Sequence, residues 1–225
     1  MPAHTEYAFE TAIEHGLTSG GGYEKRSPGD YDAERAIFPT DVCGFLRESQ
    51  ASKWSGLEKL LGGRTESTVL DNLVKELDIK GSLHVLRHGF KCYGKTFRMA
   101  YFRPNSGMNP EAAEAYARNR LTITRQVAFS SALKRPDGKN RRCEIDVTLS
   151  VNGIPVVTAE LKNPLTGQGA VDARKQYCAE RDDRDLLFAF KKRALVHFAV
   201  DPDEAWMTTQ LKGKETFFLP FNRGH

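Results

Sequence analysis

The sequence has few cysteines and no long apolar run, and these absences exclude whole classes of protein. Its four cysteines are spread over 225 residues with no Cys-x-x-Cys pair, so the usual spacing of zinc ligands is missing. The sequence therefore predicts no zinc site and favours a reducing, cytoplasmic setting. No apolar stretch approaches the length of a membrane span, and the polar, acidic start is unlike a signal peptide. We expect no membrane association.

Glycine-rich nucleotide-binding motifs are also missing. Gly20, Gly21 and Gly22 are adjacent, but no Gly-Lys-Ser or Gly-Lys-Thr follows them, which indicates a linker rather than a phosphate-binding loop. No helicase signature occurs in the chain. The net charge of +4 is compatible with nucleic-acid binding but does not identify it. Because 40% of the residues are hydrophobic, including 13 Phe, the composition can supply a sizeable core.

Helical and strand patterns alternate along the chain, which predicts an α/β fold with a mixed sheet flanked by helices. Apolar spacing predicts a first helix from about residue 6 and a helical elaboration at about 40–80, with helices at 41–48, 53–61 and 66–77. Further helices are expected at 109–120 and 170–181. The predicted strands are 96–102, 121–129, two arms within 141–162, 186–190, 194–200, 205–211 and 217–221.

The stretch Arg141–Pro164 predicts a β-hairpin around which the rest of the chain is organised. In its first arm apolar residues alternate with polar ones, so that Asp146 lies among the polar set. Asn152-Gly153 is a strong turn signal between the two arms. The second arm ends in Glu160-Leu161-Lys162, and residues two apart in a strand share a face. Glu160 and Lys162 are therefore expected to point the same way.

The length of the hairpin loop decides whether Asp146 shares that face. A plain two-residue turn at Asn152-Gly153 pairs Asp146 with Ala159 and turns Glu160 away from it. A three-residue loop pairs Asp146 with Thr158, which leaves Asp146 diagonal to Glu160 on one face. A bulge near Pro155 has an equivalent effect. If the acids converge, we expect the loop or the bulge, with Gly153 at positive φ and an open polar cleft beside the first helix.

Two carboxylates and one lysine on one face suit a particular chemistry. The carboxylates can hold a hard cation such as Mg²⁺, which keeps waters in its remaining positions and lowers the pKa of a bound water. A lysine can orient that water or stabilise developing charge. By itself the pattern Asp-x13-Glu-x-Lys also fits an ordinary solvated sheet face.

Asp146 with Glu160-Leu161-Lys162 resembles the PD-(D/E)xK nuclease core. The run TAELKNPLTGQ, followed by DARKQY and ERDDRDLLF, is similar to the N-terminal nuclease region of the R (restriction, motor) subunit of type I restriction enzymes. TEYAFETAIEHGL, VLRHGFK, YFRPNSGMNPE, NRLTITRQV and RALVHFAVDPDEAWMTT resemble the same family, so the likeness covers essentially the whole chain. It implies a restriction-endonuclease-like fold with Asp146, Glu160 and Lys162 as catalytic residues, and with Asp146 and Glu160 as ligands of Mg²⁺, for which Mn²⁺ can substitute.

The resemblance also implies an organisation and partners. Residues 1–225 are expected to form a single nuclease domain with a catalytic core at about 121–211, and the motor ATPase is expected outside this chain, which would be an N-terminal fragment or a separate nuclease module. ATP would act only through that motor. The substrate would be unmodified foreign duplex DNA, cleaved after translocation. Modification and specificity subunits would be the protein partners.

Three accessory residues follow from the same resemblance. Glu10 is expected to lean over the metal site, although an acidic, solvated helix face explains it equally well. Many relatives carry Gln-x-x-x-Tyr after the lysine, whereas here Gln176 and Tyr177 are adjacent and residue 180 is Glu. Adjacent helical residues point about 100° apart, so Gln176 and Tyr177 cannot both face one phosphate.

The most basic short stretch runs from residue 134 to 142, directly before the Asp146 strand. We interpret Lys134, Arg135, Lys139, Arg141 and Arg142 as candidate contacts to DNA phosphates, with a solvated loop as the alternative. Two hypotheses therefore stand. The chain is a Mg²⁺-dependent endonuclease domain, which the intact acid–acid–lysine set favours, or it is a non-cleaving DNA-binding and docking module of a restriction complex.

Overall fold

A computed structural model describes residues 6–105, 109–134 and 140–221, without the side chains of residues 130–142 and 166. The helices are α1 (Glu6–Ser19), α2 (Pro39–Ser49), α3 (Ala51–Leu61), α4 (Thr65–Lys80), α5 (Ser82–His88), α6 (Pro110–Ala117) and α7 (Ala170–Glu180). The strands are β1 (Glu24–Arg26), β2 (Phe90–Cys92), β3 (Lys95–Phe97), β4 (Leu121–Lys134), β5 (Asn140–Val151), β6 (Ile154–Leu161), β7 (Val196–Val200), β8 (Ala205–Thr208) and β9 (Leu219–Pro220).

Seven of these strands form one mixed sheet in the order β1-β4-β5-β6-β7-β8-β9. The pairs β1–β4 and β6–β7 are parallel, and the other neighbours are antiparallel. A parallel pair needs a long crossover, which α7 supplies between β6 and β7. The predicted α/β class, a restriction-endonuclease-like mixed sheet flanked by helices, is confirmed.

The helices α1 and α7 cover opposite faces of the sheet. In β6, the hydroxyl of Thr158 hydrogen-bonds the buried Tyr177 of α7, while the next residue, Ala159, packs in a cluster with Phe9 and Ile13 of α1. Consecutive strand residues point to opposite faces, so the two helices sandwich β6. This placement of the first helix and of α7 beside the sheet follows the sequence-based expectation.

The N-terminal helices build a separate part of the core. The segments expected to be helical at 41–48, 53–61 and 66–77 are α2, α3 and α4. Their buried side chains pack with α5 and the β2–β3 hairpin. This packing explains why apolar residues recur along one stripe of each helix. The buried members include Phe45, Leu57, Leu73, Val85 and Phe97.

The β5–β6 connection combines a two-residue turn with a bulge. Val151 pairs with Ile154 across Asn152 and Gly153, whose φ angles of 52° and 84° are those of a type I′ hairpin turn. Ser150 then pairs with Pro155, but Leu149 pairs with Val157, so Val156 is the extra residue of a bulge. Of the two expected ways to bring the acids onto one face, the chain uses the bulge beside Pro155, not the three-residue loop.

Contacts from outside the hairpin hold this turn in place. The amide of Asn152 is buried and donates to the carbonyl of Met99 at 2.9 Å, and the backbone N–H of Phe38 donates to the carbonyl of Gly153 at 2.8 Å. A Cβ atom at position 153 would lie 2.6 Å from the carbonyl oxygen of Phe38. Gly153 is therefore required both by its positive φ and by this close approach.

Two predicted segments were wrong in type or extent. Residues 186–190 form turns rather than a strand: the Asp185 carboxylate accepts the N–H of Leu187, and Leu187 and Phe188 are buried in the core. The expected loop at 134–142 begins and ends as strand, since β4 continues to Lys134 and β5 starts at Asn140. The apolar residues at 186–190 suggested a strand where the chain forms turns. The basic composition at 134–142 suggested a loop where two strands begin and end.

Short strands account for two further differences. β3 covers only Lys95–Phe97, not the predicted 96–102. β1 falls in a segment predicted to be a loop, and it pairs in parallel with β4 from Glu24 opposite Thr122 to Arg26 opposite Thr124. A three-residue polar strand has no hydrophobic pattern, so only its partner strand defines it.

None of the helices in the described ranges is both long enough and apolar enough to cross a membrane.

A buried histidine makes the stability of the fold dependent on pH. His197 is 1% exposed, and its Nδ1 lies 2.7 Å from the hydroxyl of Thr158. Burial lowers the pKa of His197 to about 4. The unfolded chain takes up this proton near pH 6.5 and the folded chain does not, so acid favours unfolding between those values.

We expect wild-type protein to lose stability relative to His197→Phe as the pH falls from 6.5 towards 4. A pKa lowered from 6.5 to about 4 corresponds to at most about 3 kcal/mol. Urea unfolding at pH 7 and pH 4.5 measures the difference. Asp185, whose pKa burial raises to about 6, is present in both proteins, so its contribution cancels. Parallel pH profiles for the two proteins would contradict this assignment.

Candidate active site

The bulged register brings Asp146 and Glu160 together. The β5–β6 ladder ends with Val147 opposite Ala159, so Asp146 and Glu160 follow its last pair on the two strands, and the charge of Asp146 acts on Glu160. Asp146 Oδ2 also accepts the backbone N–H of Leu161 at 2.8 Å, which fixes this carboxylate across the gap between the strands.

Glu160 is a fully buried carboxylate in which only one oxygen accepts a hydrogen bond from the described residues. Its Oε1 accepts a hydrogen bond from Arg181 at 2.6 Å, whereas Oε2 is equally buried and accepts none from the described residues. The pKa of Glu160 is raised to about 8, chiefly by burial and also by the nearby charge of Asp146, while Arg181 opposes the rise. The expected open cleft is therefore wrong for Glu160, which has no exposed surface.

Lys162 lies at the edge of the site, beside a polar pocket. Its Nζ is 3.4 Å from Glu6 Oε1 of α1, and its backbone N–H donates to the carbonyl of Val200. The pocket has a volume of about 360 Å³. Its lining comprises Lys162, Gln168, Asp172, Lys175, Gln176, Ala179 and Glu180. The lysine is thus positioned between Glu6 of α1 and the residues of α7 that line the pocket.

Glu10 of α1 is connected to Asp146 through one side chain. Glu10 is 6% exposed, and its Oε2 accepts two hydrogen bonds from Arg125. Gln126 Nε2 donates to Glu10 Oε1 at 2.9 Å and lies 3.4 Å from Asp146 Oδ1. Glu10 is therefore buried beside the site rather than on a solvated acidic face.

Gln176 and Tyr177 have different environments, as their adjacent positions on α7 require. Tyr177 is fully buried, its hydroxyl lies 2.9 Å from that of Thr158, and its ring packs against Phe188. Tyr177 is therefore packed in the core, and the accessory role expected for it stays a prediction. Gln176 lines the pocket beside Lys162, where it can reach a bound group.

Two residues of the site were not identified from the sequence. Arg181 follows α7 in a stretch of mixed charges, ERDDRD, in which no spacing marks it out. Gln126 lies within a strand pattern, and its side chain matters only because the bulged strands bring it between two carboxylates. The one available signal was Glu160, because a carboxylate within a sheet strand needs a charged partner if it is buried, and Arg181 is that partner.

The basic residues predicted to contact DNA cannot be placed. Arg135 and Lys139 lie outside the described residues, as do the side chains of Lys134, Arg141 and Arg142. Their contact with DNA stays a prediction.

The residues present fit a hard divalent cation. Asp146 and Glu160 supply carboxylate oxygens, the ligands that Mg²⁺ prefers, and Glu160 Oε2 is a buried acceptor without a hydrogen bond. In the part of the chain that the structure describes, no group of three or more His, Cys, Asp or Glu side chains is arranged around a metal position. A Mg²⁺ ion commonly keeps several waters, so two carboxylates are sufficient protein ligands.

A family model described as type I restriction enzyme R protein N terminus matches residues 61–216, more than half of the 225 residues. Asp146, Glu160 and Lys162 lie inside the matched range, and Glu10 lies before it. No curated protein matches the chain.

Gln126 has a strained backbone that a pair of substitutions can test. Its φ of 54° is in the left-handed region, which costs a non-glycine residue about 1 kcal/mol. We expect Gln126→Gly to be more stable than Gln126→Ala by about 1 kcal/mol in denaturant unfolding.

The neighbouring Ala128 provides a matched control in the same strand, because it is not among the residues with positive φ. There, glycine should be less stable than the native alanine, as is usual within strands. A Gln126→Gly protein that is less stable than Gln126→Ala would show that residue 126 carries no such strain.

Proposed function

Because the chain belongs to the family of type I restriction enzyme R protein N termini, we propose that it is a Mg²⁺-dependent endonuclease domain. Its reaction is hydrolysis of phosphodiester bonds in duplex DNA. The catalytic residues are Asp146, Glu160 and Lys162, and Asp146 and Glu160 hold the cation. The observation that carries this proposal is the buried Oε2 of Glu160, which has no hydrogen bond from the described residues and lies near the charge of Asp146.

Burial of an unpaired carboxylate oxygen is costly, and a ligand at Oε2 would remove that cost. A buried polar atom without a partner destabilises a fold by roughly 1–3 kcal/mol, more when it is charged. The cost supports a role in binding, since a structural ion pair with Arg181 alone does not require Oε2 to stay free. A cation shared with Asp146 would also remove the repulsion between the two carboxylates.

The remaining groups divide the work on the substrate. A bound Mg²⁺ would polarise a phosphate and supply a more acidic water. Asp146 is held in place by the N–H of Leu161, so its carboxylate is oriented before anything binds. Lys162, which lines the polar pocket, orients the attacking water or stabilises the charge that develops on the phosphate. Glu10 keeps Asp146 in position through Gln126.

Full burial of Glu160 favours a second candidate function. With no exposed surface and an ion pair to Arg181, Glu160 can also be read as a structural residue of a DNA-binding and docking module that does not cleave. The two functions differ in one property, because only the nuclease requires a divalent cation at Asp146 and Glu160.

The wider assembly is proposed from family membership. In that setting the chain works with modification and specificity subunits in the cytoplasm, and the substrate is unmodified foreign duplex DNA. An ATP-driven motor outside this chain delivers the DNA. The basic residues between 134 and 142 contact its backbone without reading its sequence.

We expect Asp146→Ala, Glu160→Ala and Lys162→Ala each to lower DNA cleavage by the complete restriction complex by at least ~100-fold, the usual scale for loss of an electrostatic catalytic group. ATP hydrolysis should be largely unchanged, because the motor lies elsewhere. Plasmid cleavage and phosphate release measured on the same complexes check both results.

Two exposed residues of α6 and α3 provide matched controls: Glu114→Ala removes a carboxylate and Lys59→Ala removes an amine, and neither is among the residues assigned to the site. Both should cleave normally. Normal cleavage by Asp146→Ala and Glu160→Ala would instead support the docking module. Loss of ATP hydrolysis together with cleavage in all three variants would indicate misfolding.

A further inference from the structure

Arg181 is a buried cation next to a buried acid, in a position that the proposed chemistry has not yet used. It follows the last residue of α7 directly, with extended backbone angles of φ −105° and ψ 110°. Its side chain is only 5% exposed, although an arginine at a helix end usually reaches solvent. The end of α7 therefore directs this guanidinium inward, towards β5 and β6.

Three close contacts hold the guanidinium of Arg181, and its Nη1 also lies 3.9 Å from Glu180 Oε2. It donates to Glu160 Oε1 at 2.6 Å and to the backbone carbonyl of Glu144 at 3.1 Å. Its central carbon also lies 5.3 Å from the centre of the Phe129 ring. Contacts to an acid, a carbonyl and a ring fix the plane of the guanidinium, so it has little freedom to leave Glu160.

The contact with Glu160 involves one carboxylate oxygen only. Arginine often binds a carboxylate through both oxygens, which would have left nothing for another ligand. Here the guanidinium takes Oε1, and Oε2 stays buried without a hydrogen bond from the described residues. The carboxylate cannot rotate without breaking the bond at Oε1, so the orientation of Oε2 is set by Arg181.

We propose that Arg181 is a positioning residue for the divalent cation: it anchors Oε1 of Glu160 and thereby presents Oε2 to a cation shared with Asp146. This inference rests on the proposed function, because it assumes that the cation binds at these two carboxylates. Arg181 itself contacts neither cation nor DNA.

The positive charge of Arg181 has a second, opposite effect. It repels a divalent cation, so removing it would favour metal binding if repulsion were the larger effect. Without Arg181, however, nothing holds Oε1, and the carboxylate of Glu160 is free to rotate. A rotated carboxylate no longer presents Oε2 towards the cation shared with Asp146. Anchoring therefore outweighs repulsion, and loss of Arg181 weakens metal binding.

Mn²⁺ binding to the full chain without DNA tests this directly, by isothermal titration calorimetry. We expect Arg181→Met to weaken Mn²⁺ binding by about 10- to 100-fold, the usual effect of removing a group that orients a metal ligand. Arg181→Lys keeps the charge but lacks the planar fork, so it should recover only part of the affinity. Arg184→Ala is the matched control, because Arg184 is 86% exposed and pairs with Asp182 instead.

A double-mutant cycle with Glu160→Gln separates positioning from a general structural effect. If Arg181 acts through Glu160, adding Arg181→Met to Glu160→Gln should produce no further loss of Mn²⁺ affinity. An equal loss in both backgrounds would overturn the inference, since Arg181 would then act through the fold. If Arg181→Met does not fold, Arg181→Lys in the same cycle gives the same decision.

The outcomes also distinguish the inference from the proposed function. Mn²⁺ binding that Asp146→Asn and Glu160→Gln leave unchanged would contradict the metal site itself. Wild-type binding that depends on both acids, combined with equal or tighter binding by Arg181→Met, would overturn only the role of Arg181.

Discussion

One extra residue in β6 sets the register of β5 and β6, on which the proposed metal site of Asp146 and Glu160 depends. The turn at Asn152 and Gly153, taken alone, would pair Asp146 with Ala159 and leave Glu160 on the other face. The bulge at Val156 shifts the pairing by one residue, so that Val147 pairs with Ala159 directly before Asp146 and Glu160. The turn is held by Phe38, directly before α2, and by Met99, after β3. The register of these two strands therefore depends on contacts with the N-terminal region.

The bulged register concentrates buried charge where an ordinary sheet would have apolar residues. Glu160 is paired with Arg181 on the α7 side, and Glu10 is paired with Arg125 on the α1 side. Buried ion pairs contribute little net stability, because desolvation offsets their attraction, and they are less favourable than well-packed apolar residues. Two such pairs near Asp146, together with the strained Gln126, support the proposal that a charged ligand binds here.

Much of this arrangement could be predicted from the sequence, and the remainder could not for identifiable reasons. Alternation and the Asn152-Gly153 turn predicted the hairpin, and the need for the acids to meet predicted a loop or bulge near Pro155. The choice between loop and bulge depends on contacts with Phe38 and Met99, which are distant in sequence. Arg181 was missed because its inward direction is set by where α7 ends. Residues 186–190 were wrongly predicted as a strand because buried turns and buried strands share an apolar composition.

The most direct measurement is a crystal of the full chain soaked in Mn²⁺, with anomalous diffraction recorded at the manganese edge. If Asp146 and Glu160 share a cation, one strong peak will lie between them, within about 2.0–2.3 Å of Glu160 Oε2 and an Asp146 oxygen. Arg181 will remain on Oε1. A map at high Mn²⁺ concentration with no peak there, or with peaks only at exposed carboxylates, would contradict the metal site on which the proposed nuclease function depends.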